Sequence, residues 1–141
     1  MKPSVNHLVG WLSLSLKVLL GKIQGELEQR EKVHEQVQRD MRRATRLSKQ
    51  AILFTHQEKF KEAKKQLKEA TELFTKLHSV AKAYPDMFYS GLVDAAFQEY
   101  AEAQTLLTLV EENRFINPEE INVPSIDYVL GLADVIGELR R

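Results

Sequence analysis

The chain has 141 residues, and its 20 Lys plus Arg balance 20 Asp plus Glu. That length suits one compact domain or one protomer of an assembly, and the even charge points to neither nucleic acid nor acidic partners overall. The absence of cysteine excludes disulfides, thiolate zinc sites and thiol catalysis, and it fits a reducing cytoplasm better than secretion, so a cytoplasmic location is expected.

The apolar run from Leu8 to Leu20 falls short of the ~20 residues that cross a bilayer and contains Lys17, so no membrane partner is expected. No small-residue cleavage site follows it, and apolar positions continue at helical spacing through Ile23 and Leu27. Residues 1–25 read as an amphipathic segment of unassigned role ahead of a helical domain over 26–141. Between Glu26 and Tyr84 there is neither Gly nor Pro, a gap that long helices tolerate. Val33, Val37, Met41, Ala44, Ser48, Ala51 and Thr55 advance by alternating fours and threes, with Leu47 and Phe54 widening the stripe. A second stripe runs through Phe60, Ala63, Leu67, Ala70, Phe74, Leu77, Ala81 and Tyr84 and ends before Pro85. These are two long amphipathic helices, with the break predicted between Thr55 and Glu58.

A third helix is predicted from about Asp86 to Glu112. Apolar and small residues on most of its sides suit the middle of a bundle, where Glu99 and Glu102 would be costly without a partner. Asn117, Pro118 and Glu120 have the spacing of a capping box. Pro124 then opens the final helix, through Tyr128, Leu130, Leu132, Val135, Ile136 and Leu139. No alternating β pattern appears. The expected fold is all-α, a bundle of long antiparallel helices.

Two acid pairs carry the chemistry. Glu99 with Glu102, and Asp134 with Glu138, lie three and four residues apart, so each pair shares a helix face. Two facing helices would converge four acids on one point, and such a cluster repels itself unless a cation sits in it. Hard divalent ions take oxygen ligands of this kind and serve phosphoryl chemistry. Solvated helix carboxylates are the plainer reading, and the apolar flanks of both pairs keep the two readings open. Arg39, Arg42, Arg43, Arg46 and Lys49 form a basic stripe of about three turns with no acid between Asp40 and Glu58. Such a stripe can track a phosphate backbone, or be a solvated face. The Lys and Glu residues between 58 and 72 alternate as ordinary ion-pair decoration. His7, His34, His56 and His78 lack ligand spacing and carry no expected catalytic or zinc role. Tyr84, Phe88 and Tyr89 read as core more readily than as base-stacking groups.

The motifs Gln98-Glu99-Tyr100-x-Glu102-Ala103 and Tyr128-x-x-Gly131-x-Ala133-Asp134-x-x-Gly137-Glu138-Leu139-x-Arg141 resemble the translin family. Within it they are most similar to the translin-associated factor X branch, in an archaeal-looking, C-terminally shortened form. The likeness covers roughly Gln29 to Arg141. It implies an all-α protomer of a hollow oligomer enclosing single-stranded RNA or DNA. It also implies an endoribonuclease site in which Glu99, Glu102, Asp134 and Glu138 are both the catalytic residues and the ligands of Mg²⁺, with Mn²⁺ as a substitute. Translin itself binds nucleic acid but lacks the first acidic pair and the Asp of the second motif, so this chain falls on the catalytic side. Arg39, Arg42, Arg43, Arg46 and Lys49 would position the strand. Family members continue past the second motif with helices that contribute to subunit contacts. An apolar surface at Leu130, Val135, Ile136 and Leu139 is therefore expected to lie uncovered, and at least a homodimer to form. Two other functions stay open: a translin-like nucleic-acid-binding scaffold without turnover, and an all-α nucleoside triphosphate pyrophosphatase, whose paired acids the Asp-x-x-x-Glu spacing fits poorly.

Overall fold

A computed structural model describes residue 2 and residues 4–141. Five helices follow one another: α1 (Val5–His56), α2 (Phe60–Ala83), α3 (Gly91–Glu112), α4 (Pro118–Ile121) and α5 (Ser125–Leu139), with a 3-10 turn at Pro85–Phe88 between α2 and α3. No strand occurs among the described residues. The chain divides into two compact units, Met1–Glu35 and Gln36–Arg141. No helix among the described residues is long and apolar enough to cross a membrane.

In the first unit the chain is helical from Val5, and Leu8, Leu12, Leu16 and Leu19 are exposed along it. In the second unit the predicted stripes are the buried ones. Val37, Met41, Ala44, Leu47, Ser48, Ala51 and Thr55 of α1 are buried, as are Ala63, Leu67, Ala70, Phe74 and Leu77 of α2. The break between them needs no glycine or proline because Glu58 itself takes the left-handed conformation, at φ 58°, a region costly enough for a side-chain-bearing residue that sequence patterns seldom flag it. Asp40–Lys76 and Arg43–Glu69 ion pairs show α1 and α2 running antiparallel. Lys64–Glu111 and the 2.7 Å contact between the Thr71 and Tyr100 hydroxyls show the same for α2 and α3.

Helix α3 is the central one. Val93, Ala96, Phe97, Tyr100, Ala101, Ala103, Leu106 and Leu107 are buried on several of its sides. The Phe97 ring stacks on Phe74 at 4.6 Å between centroids, and Phe88 closes over Phe97 at 5.4 Å. Phe88 is half-buried in this stack and Tyr89 beside it is exposed, so the buried side chain of the 3-10 turn is Met87 rather than either of the two. The start of α3 falls at Gly91 rather than Asp86, because Pro85 to Phe88 form the separate 3-10 turn and Ser90 caps α3, its hydroxyl accepting from the Val93 amide at 3.2 Å. Ser90→Ala should cost about 1 kcal/mol in chemical denaturation, the usual value of such a cap. Helix α4 begins as predicted, with Glu120 reaching back to accept from the Asn117 amide at 2.7 Å. Helix α5 then packs along α3, and the Tyr128 hydroxyl ties it to the preceding loop by donating to the Ile116 carbonyl at 2.7 Å.

Candidate metal-dependent site

The contact between α3 and α5 is a backbone contact. A Cβ on Gly131 would stand 2.7 Å from the Gln98 carbonyl oxygen, 2.9 Å from the Glu102 amide nitrogen and 3.0 Å from the Ala101 Cβ. Only glycine lets the helices lie this close, and the closeness makes neighbours of side chains one turn either way along both. Gln98 donates to Asp134 at 2.7 Å across the seam. Both acid pairs therefore sit beside the close approach of α3 and α5, Glu99 and Glu102 from one helix and Asp134 and Glu138 from the other.

Their charges interact. Glu102 is buried at 6 % exposure, and its pKa is pushed from 4.5 to about 7. Burial is the main cause, followed by repulsion from Glu99, Asp134 and Glu138, with Arg141 partly opposing it. Glu99 is raised as well, first by burial, and Asp134 and Glu138 add to the rise while Lys49 offsets it. Four carboxylates thus share one electrostatic neighbourhood, and the most buried of them holds a proton near neutral pH.

They do not form a cage as they stand. Among the described residues no three His, Asp or Glu side chains make a group that could hold a metal ion, so the expected bracketing of one ion is not realised in this arrangement. The reason lies in the partners the acids have taken. Glu138 accepts from His56 Nε2 at 2.7 Å and from Arg141 at 3.2 Å, Asp134 from Gln98, and Glu99 lies 3.7 Å from Lys49 Nζ. Three of the four carboxylates, Glu99, Asp134 and Glu138, are turned toward a local cation or amide.

The contacts of Glu99 with Lys49 and of Glu138 with His56 and Arg141 line a cleft of about 370 Å³, completed by Ile52 and Leu53. His56, assigned no role from its spacing, belongs to this site. The signal was present: His56 lies seven residues beyond Lys49, and Lys49 seven beyond Arg42, so all three share one face of α1. Among the stripe residues, Arg42 and Arg46 are exposed, whereas Arg43 is committed to Glu69 on α2 and Arg39 donates to Gln36 at 2.9 Å. The cationic face therefore runs from Arg42 through Arg46 and Lys49 into the cleft that Glu99 and Glu138 line. Along α5, Leu130, Ile136 and Leu139 are exposed as expected, together with Ile126 and Val129. Val135 departs from that expectation and is buried at 1 % exposure, because it falls one turn from Gly131 on the face against α3.

The chain is 34 % identical over 117 residues to the uncharacterized protein MJ0175 of Methanocaldococcus jannaschii, a match that takes in 82 % of this chain and 51 % of that protein. It is also similar to a solved structure described as the crystal structure of apo-NeC3PO, with a TM-score of 0.76 and 29 % sequence identity, over 84 % of this chain and 63 % of that one. The chain thus spans about half the length of the curated relative it matches. Residues 32–141, which include every residue of the acidic cleft, match the Translin family, and the chain belongs to that family.

Proposed function

We propose that this domain is a Mg²⁺-dependent endoribonuclease of the translin-associated factor X type, acting on single-stranded RNA. The observation that carries the reading is the electrostatic convergence of Glu99, Glu102, Asp134 and Glu138 on the α3–α5 seam, at the end of a cationic face of α1. The donor set fits the ion: four carboxylate side chains offer the oxygen ligands that Mg²⁺ or Mn²⁺ prefers, and their mutual repulsion is what a cation relieves. Glu99, Glu102, Asp134 and Glu138 would hold it. A bound divalent ion supplies charge neutralisation at the scissile phosphate and a more acidic water.

The rest of the mechanism falls to the chain's own side chains. Arg42, Arg46 and Lys49 bind phosphates of the strand and fix its register without reading bases. Glu102 must release its proton before it can act as a ligand, so its raised pKa makes the site more receptive above neutral pH. His56 holds Glu138 from the α1 side and keeps that carboxylate at the mouth of the cleft. Incubation of the protein with labelled single-stranded RNA and with free nucleotides, in Mg²⁺ and in EDTA, tests the reading. Cleavage of RNA in Mg²⁺ alone is expected, and hydrolysis of free nucleotides in place of RNA would point instead to a pyrophosphatase.

One observation favours a second reading, in which the protein binds single-stranded nucleic acid without turnover. The carboxylates as they stand form no group that could hold a metal, and a site that stayed so would leave binding intact. Both readings share the cationic face. Arg42→Ala with Arg46→Ala should weaken RNA binding and lower its salt slope by about 1.4, since each single-strand phosphate contact contributes about 0.7. Filter binding across a salt series checks this. The exposed apolar residues of α5 also support self-association, at least to a homodimer, and a monodisperse monomer in solution would count against it.

A further inference from the structure

The helical segment ahead of the family portion has a surface of its own. At 100° per residue, Leu8, Leu12, Leu16, Leu19, Leu20 and Ile23 fall within an arc of about 120°. Each of the six is at least 41 % exposed. Ser13 and Gln24 border this arc on one side with Lys17 beyond them, and Leu14, also exposed, lies opposite. Lys22 stands beyond the other edge of the arc, with Trp11 and Val18, also exposed, past it toward the far side of the helix.

Charge selects the occupant of this surface. The chain contains no Asp or Glu before Glu26, and its charged side chains up to that point are Lys2, Lys17 and Lys22. A second copy of the same helix would set lysines against lysines with no acid to answer them. A surface that is apolar beneath and negative at its edge complements it on both counts. Long lysine stems let Lys17 and Lys22 keep their ammonium groups at that edge while the leucines are submerged.

We propose that residues 5–27 dock on an anionic lipid surface. The helix lies in the plane of the interface, its leucine arc among the acyl chains and Lys17 and Lys22 at the phosphate level. It lies on the bilayer without crossing it, which agrees with the absence of a span long and apolar enough to do so among the described residues. The proposal is independent of catalysis, and it would place the helical domain near a membrane whatever that domain does.

Trp11 is the only tryptophan of the chain and sits on the docking helix, so its emission reports the event directly. The full chain is mixed with phosphatidylglycerol–phosphatidylcholine vesicles, with pure phosphatidylcholine vesicles and with buffer, then followed by co-sedimentation and Trp11 fluorescence. Pelleting with the anionic vesicles and a blue shift of Trp11 are expected, with far weaker binding to phosphatidylcholine. Lys17→Gln with Lys22→Gln should lower the partition coefficient roughly thirtyfold, at about 1 kcal/mol per lysine near an anionic surface. Leu12→Glu with Leu16→Glu should abolish binding, and the lysine variant stands as the test if that pair fails to fold. Unchanged Trp11 emission on anionic vesicles overturns the proposal. So does equal binding to neutral and anionic vesicles, or a vesicle-independent blue shift that grows with protein concentration, which would assign the surface to a second copy instead.

Discussion

Replacing Glu102 by Gln is expected to abolish Mg²⁺-dependent cleavage of single-stranded RNA, by on the order of a hundredfold or more, while leaving RNA binding intact or slightly stronger. The amide keeps the shape of the side chain but removes the negative charge that would both ligate the ion and repel the phosphate. Activity and affinity should therefore move apart, which a general loss of structure would not produce. The same variant should be more stable than the wild type at alkaline pH. The folded protein keeps the Glu102 proton up to about 7, whereas the reference value of a free glutamate is 4.5. Between those values the folded state binds more protons than the unfolded one, so wild-type stability falls as pH rises through the interval and is at its least above pH 7. Gln removes that slope. In EDTA at pH 8 the gain should be roughly 2 kcal/mol, less than the full shift converts to because the neighbouring acids are partly solvated. Thermal melts at pH 5 and pH 8 read it. A variant that cleaves at the wild-type rate in Mg²⁺ would make the acids structural and leave the binding scaffold as the function.

Gly131→Ala should be the most destabilising of the Gly→Ala changes in this protein, by about 2–3 kcal/mol. The new Cβ would meet the Gln98 carbonyl at 2.7 Å and the Glu102 amide at 2.9 Å, and both belong to the backbone of the central helix, which cannot turn aside as a flexible side chain would. Helix α5 would have to move away from α3. Asp134 and Glu138 would move with it, so cleavage should fall together with the melting temperature, and the rise in the Glu102 pKa should shrink. Gly137→Ala is the internal control, since nothing lies within 4 Å of its Cβ position and alanine favours helix. Equal melting temperatures for Gly131→Ala and the wild type would mean that the two helices are not in backbone contact.

The sequence by itself determined the helices and the faces they bury. The threes and fours of α1 and α2 mark residues that are buried in the structure, because a helix displays its period directly in the chain and burial selects apolar side chains along one line. It also determined the acid pairs, since i,i+3 and i,i+4 spacing is a local property, and the family, through two motifs in order. Three matters were decided only by tertiary structure. Glu58 rather than a glycine makes the first turn, since packing on both flanks overrides the weak preference of a single residue. His56 shares a face of α1 with Lys49, which its spacing shows, but only the tertiary structure brings that face to Glu138, 82 residues away in the chain. The acids themselves stand near one another yet turn to His56, Arg141, Gln98 and Lys49. The spacing of carboxylates states which of them share a face, but where each oxygen points depends on the cations and amides that neighbouring helices bring to it.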